Sequence, residues 1–285
     1  MKTPEVITAT GELRTRIGGW HREGARVGLV LTMGALHEGH LSLIAEAAGR
    51  SQRVVVSIFV NPRQFGPKED LQRYPKNLEA DRARIVTQSL TDLIFVPDHD
   101  EIYPEDFATE ITVGGPGLGL ESDFRPHFFT GVATVVAKLL IAVGPDVAMF
   151  GEKDYQQLLV VRRLVHDLGL PIEIAGVPIM READGLAMSS RNAYLGPRER
   201  QIAGQLNRVL ADIAQSIPSG LQIGDAEQEG KRALLAAGFD SVDYVAVRNA
   251  HTLEPLEHPS GDMRILAAAT IAGTRLIDNM PVWHW

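Results

Sequence analysis

Gly28-Leu29-Val30-Leu31-Thr32-Met33-Gly34-Ala35-Leu36-His37-Glu38-Gly39-His40 is an apolar run that ends in a turn carrying two histidines. A helical pattern starts immediately afterwards. A buried strand that feeds a turn and then a helix N-terminus delivers side chains and backbone N–H groups to an anion. Gly34 and Gly39 allow close approach of a ligand to that backbone. The stretch predicts a parallel α/β fold and chemistry on a nucleotide.

The flanking sequence repeats the alternation. Residues 27–31 read as a strand and 41–51 as its helix; 53–59 is β-branched and reads as the next strand. A helix is expected at 77–89 and a strand at 93–96, stopped by Pro97. Residues 131–143 carry apolar side chains at helical spacing, then 146–150, 155–168 and 172–177 read as strand, helix and strand. This order predicts a doubly wound parallel sheet over 1–179. From about Met180 the pattern changes to helices at 197–217 and 225–237 and strands at 241–248, 263–271 and 274–279. A smaller α+β domain is expected over 180–285, closing over the site as a lid.

The chain has 285 residues, 45% of them hydrophobic, which is enough for a real core. It has no cysteine, so neither a disulfide nor a thiolate metal site exists. Twenty-eight basic against 36 acidic residues give a net charge of −8, which argues against a nucleic-acid partner. The opening Met1-Lys2-Thr3-Pro4-Glu5 lacks an apolar signal region, and the apolar stretch at 131–143 is too short for a bilayer. A cytoplasmic protein without a membrane partner is the expectation.

Four polar clusters are expected at carboxyl ends of strands, where open α/β sheets bind ligands: 32–40, 61–65, 151–154 and 181–192. His37 and His40 have metal-like spacing, but no third ligand is evident, so no protein-held metal is expected. As neutral or charged donors the imidazoles suit charge that develops on phosphate. In Gly151-Glu152-Lys153-Asp154, Asp154 can cap a helix, and Lys153 is placed to meet a phosphate. Met188-Ser189-Ser190-Arg191-Asn192 adds hydroxyls and a guanidinium. Gln64 and Gln157 add neutral amides. Gly115-Pro116-Gly117-Leu118-Gly119 matches no nucleotide glycine motif and reads as a plain loop.

His37-Glu38-Gly39-His40 resembles the HxGH signature of a nucleotidyl-transfer superfamily. The longer strings resemble the pantothenate synthetase (pantoate–β-alanine ligase) family. They are Thr32 to His40, Phe59-Val60-Asn61-Pro62-Arg63-Gln64-Phe65, Gly131-Val132-Ala133-Thr134-Val135-Val136, Phe150-Gly151-Glu152-Lys153-Asp154-Tyr155-Gln156-Gln157 and Met188 to Asn192. The resemblance implies a Rossmann-like fold, a homodimer, and condensation of pantoate with β-alanine through a pantoyl adenylate. It implies ATP as substrate, held by Met33, Gly34, Ala35, Leu36, His37, Glu38, Gly39 and His40. Gly151, Glu152, Lys153 and Asp154 continue the ATP site, as do Met180, Met188, Ser189, Ser190 and Arg191. Gln64 and Gln157 are implied for pantoate, and Gln64 also for β-alanine. His40 is the implied general acid, with His37, Lys153 and Arg191 as catalytic partners, and Mg²⁺ rides on the phosphates. Tyr74 and Asp81 match family positions near the site. One departure stands out: the family often reads Arg-Pro-Gly-His-Phe where this chain has Arg125-Pro126-His127-Phe128-Phe129, so His127 is assigned no role.

Other functions share parts of this pattern. A class I aminoacyl-tRNA synthetase would carry a basic RNA-binding appendage. A cytidylyltransferase would use CTP, and a nucleotide sensor would bind ATP without releasing pyrophosphate.

Overall fold

The computed structural model describes residues 3–67 and 69–282. Met1 and Lys2 of the N-terminal reading, and the last three positions of the C-terminal one, lie outside the described residues. The first half runs β1 (Glu5–Ile7), α1 (Thr10–Arg22), β2 (Val27–Thr32), α2 (Glu38–Arg50), β3 (Arg53–Ile58), α3 (Leu78–Gln88) and β4 (Leu93–Phe95). Then follow α4 (His99–Ile102), α5 (Glu121–Phe124), α6 (Phe128–Val143), β5 (Val147–Gly151), α7 (Tyr155–Asp167) and β6 (Glu173–Val177). The chain ends with α8 (Pro197–Ala203), α9 (Gln205–Ser216), α10 (Ile223–Ala237), β7 (Ser241–Asn249), β8 (Met263–Ile271) and β9 (Thr274–Val282).

The first six strands form one parallel sheet in the order β1-β4-β3-β2-β5-β6. β2 is buried along nearly its whole length because helices cover both faces, which is why it reads as a continuous apolar run. From β2 the chain builds outward through β3 and β4, then crosses back to place β5 on the other side. The order therefore reverses between β2 and β5, paired at Gly28↔Val147 through Val30↔Met149. A crevice opens beyond the carboxyl ends of strands at such a reversal. Thr32 and Gly151 end the two strands, so the fold brings the histidine turn and the 151–154 turn to one place.

The last three strands form an antiparallel sheet in the order β7-β8-β9. Its middle strand is buried on both faces. Ile265, Ala267 and Ala269 join a core with Leu206, Leu210 and Leu234 of α9 and α10, whereas Leu266 and Ala268 join the core of the parallel sheet. Period-two alternation thus sends one face of β8 to each side. Among the described residues no helix is long and apolar enough to cross a membrane.

Three local differences from the sequence reading have plain causes. β1 and α1 were not expected: β1 is three residues long, and α1 buries only Leu13, Ile17 and Trp20 on an otherwise polar helix. The single helix expected over 197–217 is divided at Gly204, a weak helix former. α2 starts at Glu38, earlier than expected, because His37 acts as its N-cap.

Candidate active site

The strand ends line a cavity of about 740 Å³. Met33, His37, Gly39 and His40 reach it from β2, Gln64 from the turn after β3, and Gly151, Lys153, Asp154 and Gln157 from β5 and α7. Met180, Met188, Ser189, Ser190 and Arg191 close it from the segment after β6. Gly34, Ala35, Leu36, Glu38 and Glu152 are not part of its wall.

The reason is visible in the histidine turn. Asp81 of α3, 4% exposed, accepts the N–H of Ala35 at 2.9 Å and of Leu36 at 2.7 Å. Its carboxylate holds Ala35 at φ 51°, a costly conformation for a residue with a side chain. The expectation that these N–H groups stand free for phosphate is therefore corrected: an internal carboxylate already takes them. Glu38 is exposed on α2 and lies 3.8 Å from Arg84, and Glu152 turns to Arg264 at 3.2 Å.

The two imidazoles form a capping box of their own. His37 Nδ1 accepts from Gly39 N–H at 3.2 Å, and His40 Nδ1 accepts from His37 N–H at 3.3 Å. A Cβ on residue 39 would sit 2.9 Å from the His37 ring, so glycine here makes room for that ring. Each Nδ1 is an acceptor, so each neutral ring carries its proton on Nε2. Burial, then Lys153, lowers His37 to a pKa of about 4. Burial, then His37 and Lys153, lowers His40 to about 3. Both rings are neutral near pH 7 in the unliganded site and offer Nε2–H as a donor. An imidazolium general acid at His40 is not available there without a bound anion to raise its pKa.

The amide end is equally fixed. Asn61, 1% exposed, donates through Nδ2 to Gln64 Oε1 at 3.0 Å and to Gly131 O at 3.1 Å. Tyr103 in turn donates to Asn61 Oδ1 at 2.8 Å. Gln64 Nε2 meets Met33 Sδ at 2.9 Å. A Cβ on residue 131 would collide with the Arg63 carbonyl, so this glycine lets the Gln64 turn lie directly on α6. Gln156, also in the cavity lining, holds the 115–119 loop through the Pro116, Leu118 and Gly119 carbonyls. That loop is structural and does not line the cavity.

Residues 69–77 form a strap before α3, and Glu69, Asp70 and Tyr74 on it line the cavity. Glu69 takes both Nε and Nη2 of Arg125, at 2.7 and 2.6 Å. Asp70 takes Nε and Nη2 of Arg191, at 3.0 and 2.9 Å. Tyr74, 7% exposed, shares a hydrogen bond with Ser190 Oγ at 3.1 Å. Arg191 is thus neutralised by a carboxylate before any ligand arrives. Phe128 lines the cavity, with the Arg125 guanidinium 3.8 Å from its ring centre, while His127 is exposed. The altered Arg125-Pro126-His127-Phe128-Phe129 string therefore places phenyl rings, and no imidazole, in the cavity lining.

Sequence reasoning missed the C-terminal contribution. Buried Glu121 accepts a fork from Arg275 at 2.7 and 2.8 Å and the Tyr244 hydroxyl at 2.7 Å. Burial opposes its ionisation, but the Arg275 fork, with Tyr244 and Arg125, holds its carboxyl below the ordinary value. β9 adds Asp278 and Asn279, both 2% exposed. Two adjacent buried polar residues within a strand are the signal that could have found them.

A doubly wound α/β sheet with a cavity of mixed polar and apolar lining at its switch point defines the class: an enzyme of the nucleotide-binding α/β type. The chain matches the Pantoate-beta-alanine ligase family over residues 5–281. It is 54% identical over 282 residues to pantothenate synthetase of Mesorhizobium japonicum, covering 99% of each chain. The pantothenate synthetase structure from Thermus thermophilus superposes with a TM-score of 0.90 at 46% identity, covering 98% of this chain and 99% of that one. A Francisella tularensis pantoate-beta-alanine ligase complexed with beta-gamma ATP and beta-alanine superposes with a TM-score of 0.81 at 32% identity, covering 98% and 97%. The chain belongs to the pantoate-beta-alanine ligase family, and it is a ligase that joins pantoate to β-alanine.

Proposed function

We propose that the cavity uses ATP to activate pantoate as an acyl adenylate. A pantoate carboxylate oxygen attacks the α-phosphorus, forming a C–O–P link and breaking the bond to the leaving pyrophosphate. The β-alanine amine then attacks the acyl carbon, loses a proton, and AMP departs. The observation that carries this reading is that neutral His37 and His40, Lys153 and neutral Gln64 all line one cavity.

Nε2–H of His37 and His40, with Lys153, suit charge growing on the phosphoryl oxygens. The hydroxyls of Ser189 and Ser190 continue this donor surface, and Arg191 joins it once Asp70 releases it. Gln64, pinned by Asn61, and Gln157 orient pantoate without an ion pair that would blunt its carboxylate; Gln64 also borders the place for β-alanine. Asp154, which lines the cavity, is the carboxylate that would hold Mg²⁺ accompanying the polyphosphate, and the ion would supply charge neutralisation there. Residues 180–285 act as a lid domain, packed on the parallel sheet through Leu266 and Ala268, that shields the mixed anhydride from water. The assembly is a homodimer, checked by sedimentation.

Isotope exchange between pyrophosphate and ATP tests the reading. ATP plus pantoate, without β-alanine, is expected to support exchange; ATP plus β-alanine is not. Amide formation with no pantoate-dependent exchange overturns the adenylate.

A further inference from the structure

We propose that Asn279, on β9 of the antiparallel sheet, is the positioning residue that aims Lys153 at the ligand. It rests on the reading that Lys153 meets the ATP phosphates. Asn279 Nδ2 donates to two consecutive carbonyls of the 151–154 turn, Glu152 O and Lys153 O, each at 2.9 Å. Its Oδ1 accepts from Arg264 Nε at 2.6 Å, and its own N–H donates to Asp278 Oδ1 at 2.7 Å. Both amide hydrogens and the amide oxygen are therefore spent, and the side chain has one orientation.

The bracing is stiff because its neighbours are. Arg264, 8% exposed, lies 3.7 Å from the Tyr155 ring centre and reaches Glu152 Oε2 at 3.2 Å. Asn is a poor strand former, and strand structure gives no reason to bury one. The turn does. Aspartate has no hydrogens for the two carbonyls, and serine is too short to serve both. Lys153, on the braced turn, carries a long flexible side chain that gains precision when its backbone is fixed from below. Residue 278 does the corresponding work for the opposite wall. Asp278 takes the fork of Arg181 at 2.7 and 3.0 Å, and Arg181 bridges Ala187 just before Met188 to Arg191. The second sheet thus reaches the phosphate side from beneath, through a strand on which the sequence reading placed no site residue.

The test uses full-length Asn279→Ser, Asn279→Asp and Lys153→Ala, and the Asn279→Ser/Lys153→Ala double variant. Pantoate-dependent pyrophosphate exchange is measured with urea unfolding as a check on folding. Exchange in either Asn279 variant is expected to fall by about tenfold to 10²-fold with a raised ATP KM, the scale of a small misplacement of a catalytic group. Pantoate KM is expected to stay unchanged. In the Lys153→Ala background, Asn279→Ser is expected to cost nothing more, because it acts through Lys153. Asn279→Ser adds no charge, so it carries the test if the aspartate variant does not fold. Wild-type exchange in folded Asn279→Ser overturns the proposal. So does an equal rise in both KM values, or an undiminished loss in the Lys153→Ala background. Normal exchange by Lys153→Ala overturns the reading of Lys153 itself and the proposal with it.

Discussion

The backbone N–H of His37 donates to Nδ1 of His40 at 3.3 Å. Together with the bond from Gly39 to His37 Nδ1, it commits both imidazoles to one tautomer. This has a consequence for stability. His40 sits at about 3 and His37 at about 4 in the fold, against 6.5 when unfolded, so between about pH 4 and 6.5 the unfolded chain binds more protons. The contribution of these two rings to stability is therefore flat above neutrality and falls as pH drops through that window. Urea unfolding at pH 7 and pH 5 is expected to show that His40→Asn removes about 2 kcal/mol of the acid-induced loss. An identical loss in the variant would mean that His40 is not buried neutral.

Removing the donor is a separate matter from removing the titration. His40→Ala is expected to fold and to lose roughly 10²–10³ in pantoate-dependent exchange, the usual cost of one donor to transition-state charge. Near-normal exchange in the folded variant would take His40 out of the chemistry.

How much of this was legible in the sequence differs by element. β2 and its turn were readable because a strand buried on both faces must be apolar throughout, and the histidines break that run sharply. Convergence of four clusters followed from parallel strand order alone. What was not legible is long-range hydrogen bonding by polar side chains. Asp81, Asp70 and Asn279 sit 46, 121 and 126 positions from partners they hold, at Ala35, Arg191 and Lys153, and local sequence does not name those partners. Local pattern likewise cannot show that the N–H groups of Ala35 and Leu36 are already taken. The string at 125–129 gave a departure, and only the fold shows that Phe128 lines the cavity while His127 is exposed.

Gln64 gives a charge test. Its amide borders the cavity while Asn61 fixes its oxygen. Gln64→Ala is expected to raise pantoate KM more than ATP KM. Gln64→Glu, of nearly equal shape, is expected to raise it further, because a carboxylate there repels an anionic substrate. Steady-state titrations separate the two. If the glutamate variant binds pantoate better than the alanine variant, the amide is not beside the carboxylate.

The Asp70–Arg191 pair makes the last prediction. A phosphate can use this guanidinium only by displacing a carboxylate that already holds it by two hydrogen bonds. ATP binding therefore includes the cost of breaking that pair, and the strap around Asp70 loses an anchor when it breaks. Asp70→Asn keeps the shape and removes the competing charge. ATP KM in the variant is expected to fall several-fold, to about a tenth at most, since a part-buried ion pair is worth roughly 1 kcal/mol. Pantoate KM is expected to hold. Limited proteolysis of the wild type is expected to show the strap protected without ATP through this pair, and the variant cut faster there. An ATP KM that rises in Asp70→Asn would show that the carboxylate aids the bound state, and that Arg191 meets phosphate without leaving Asp70.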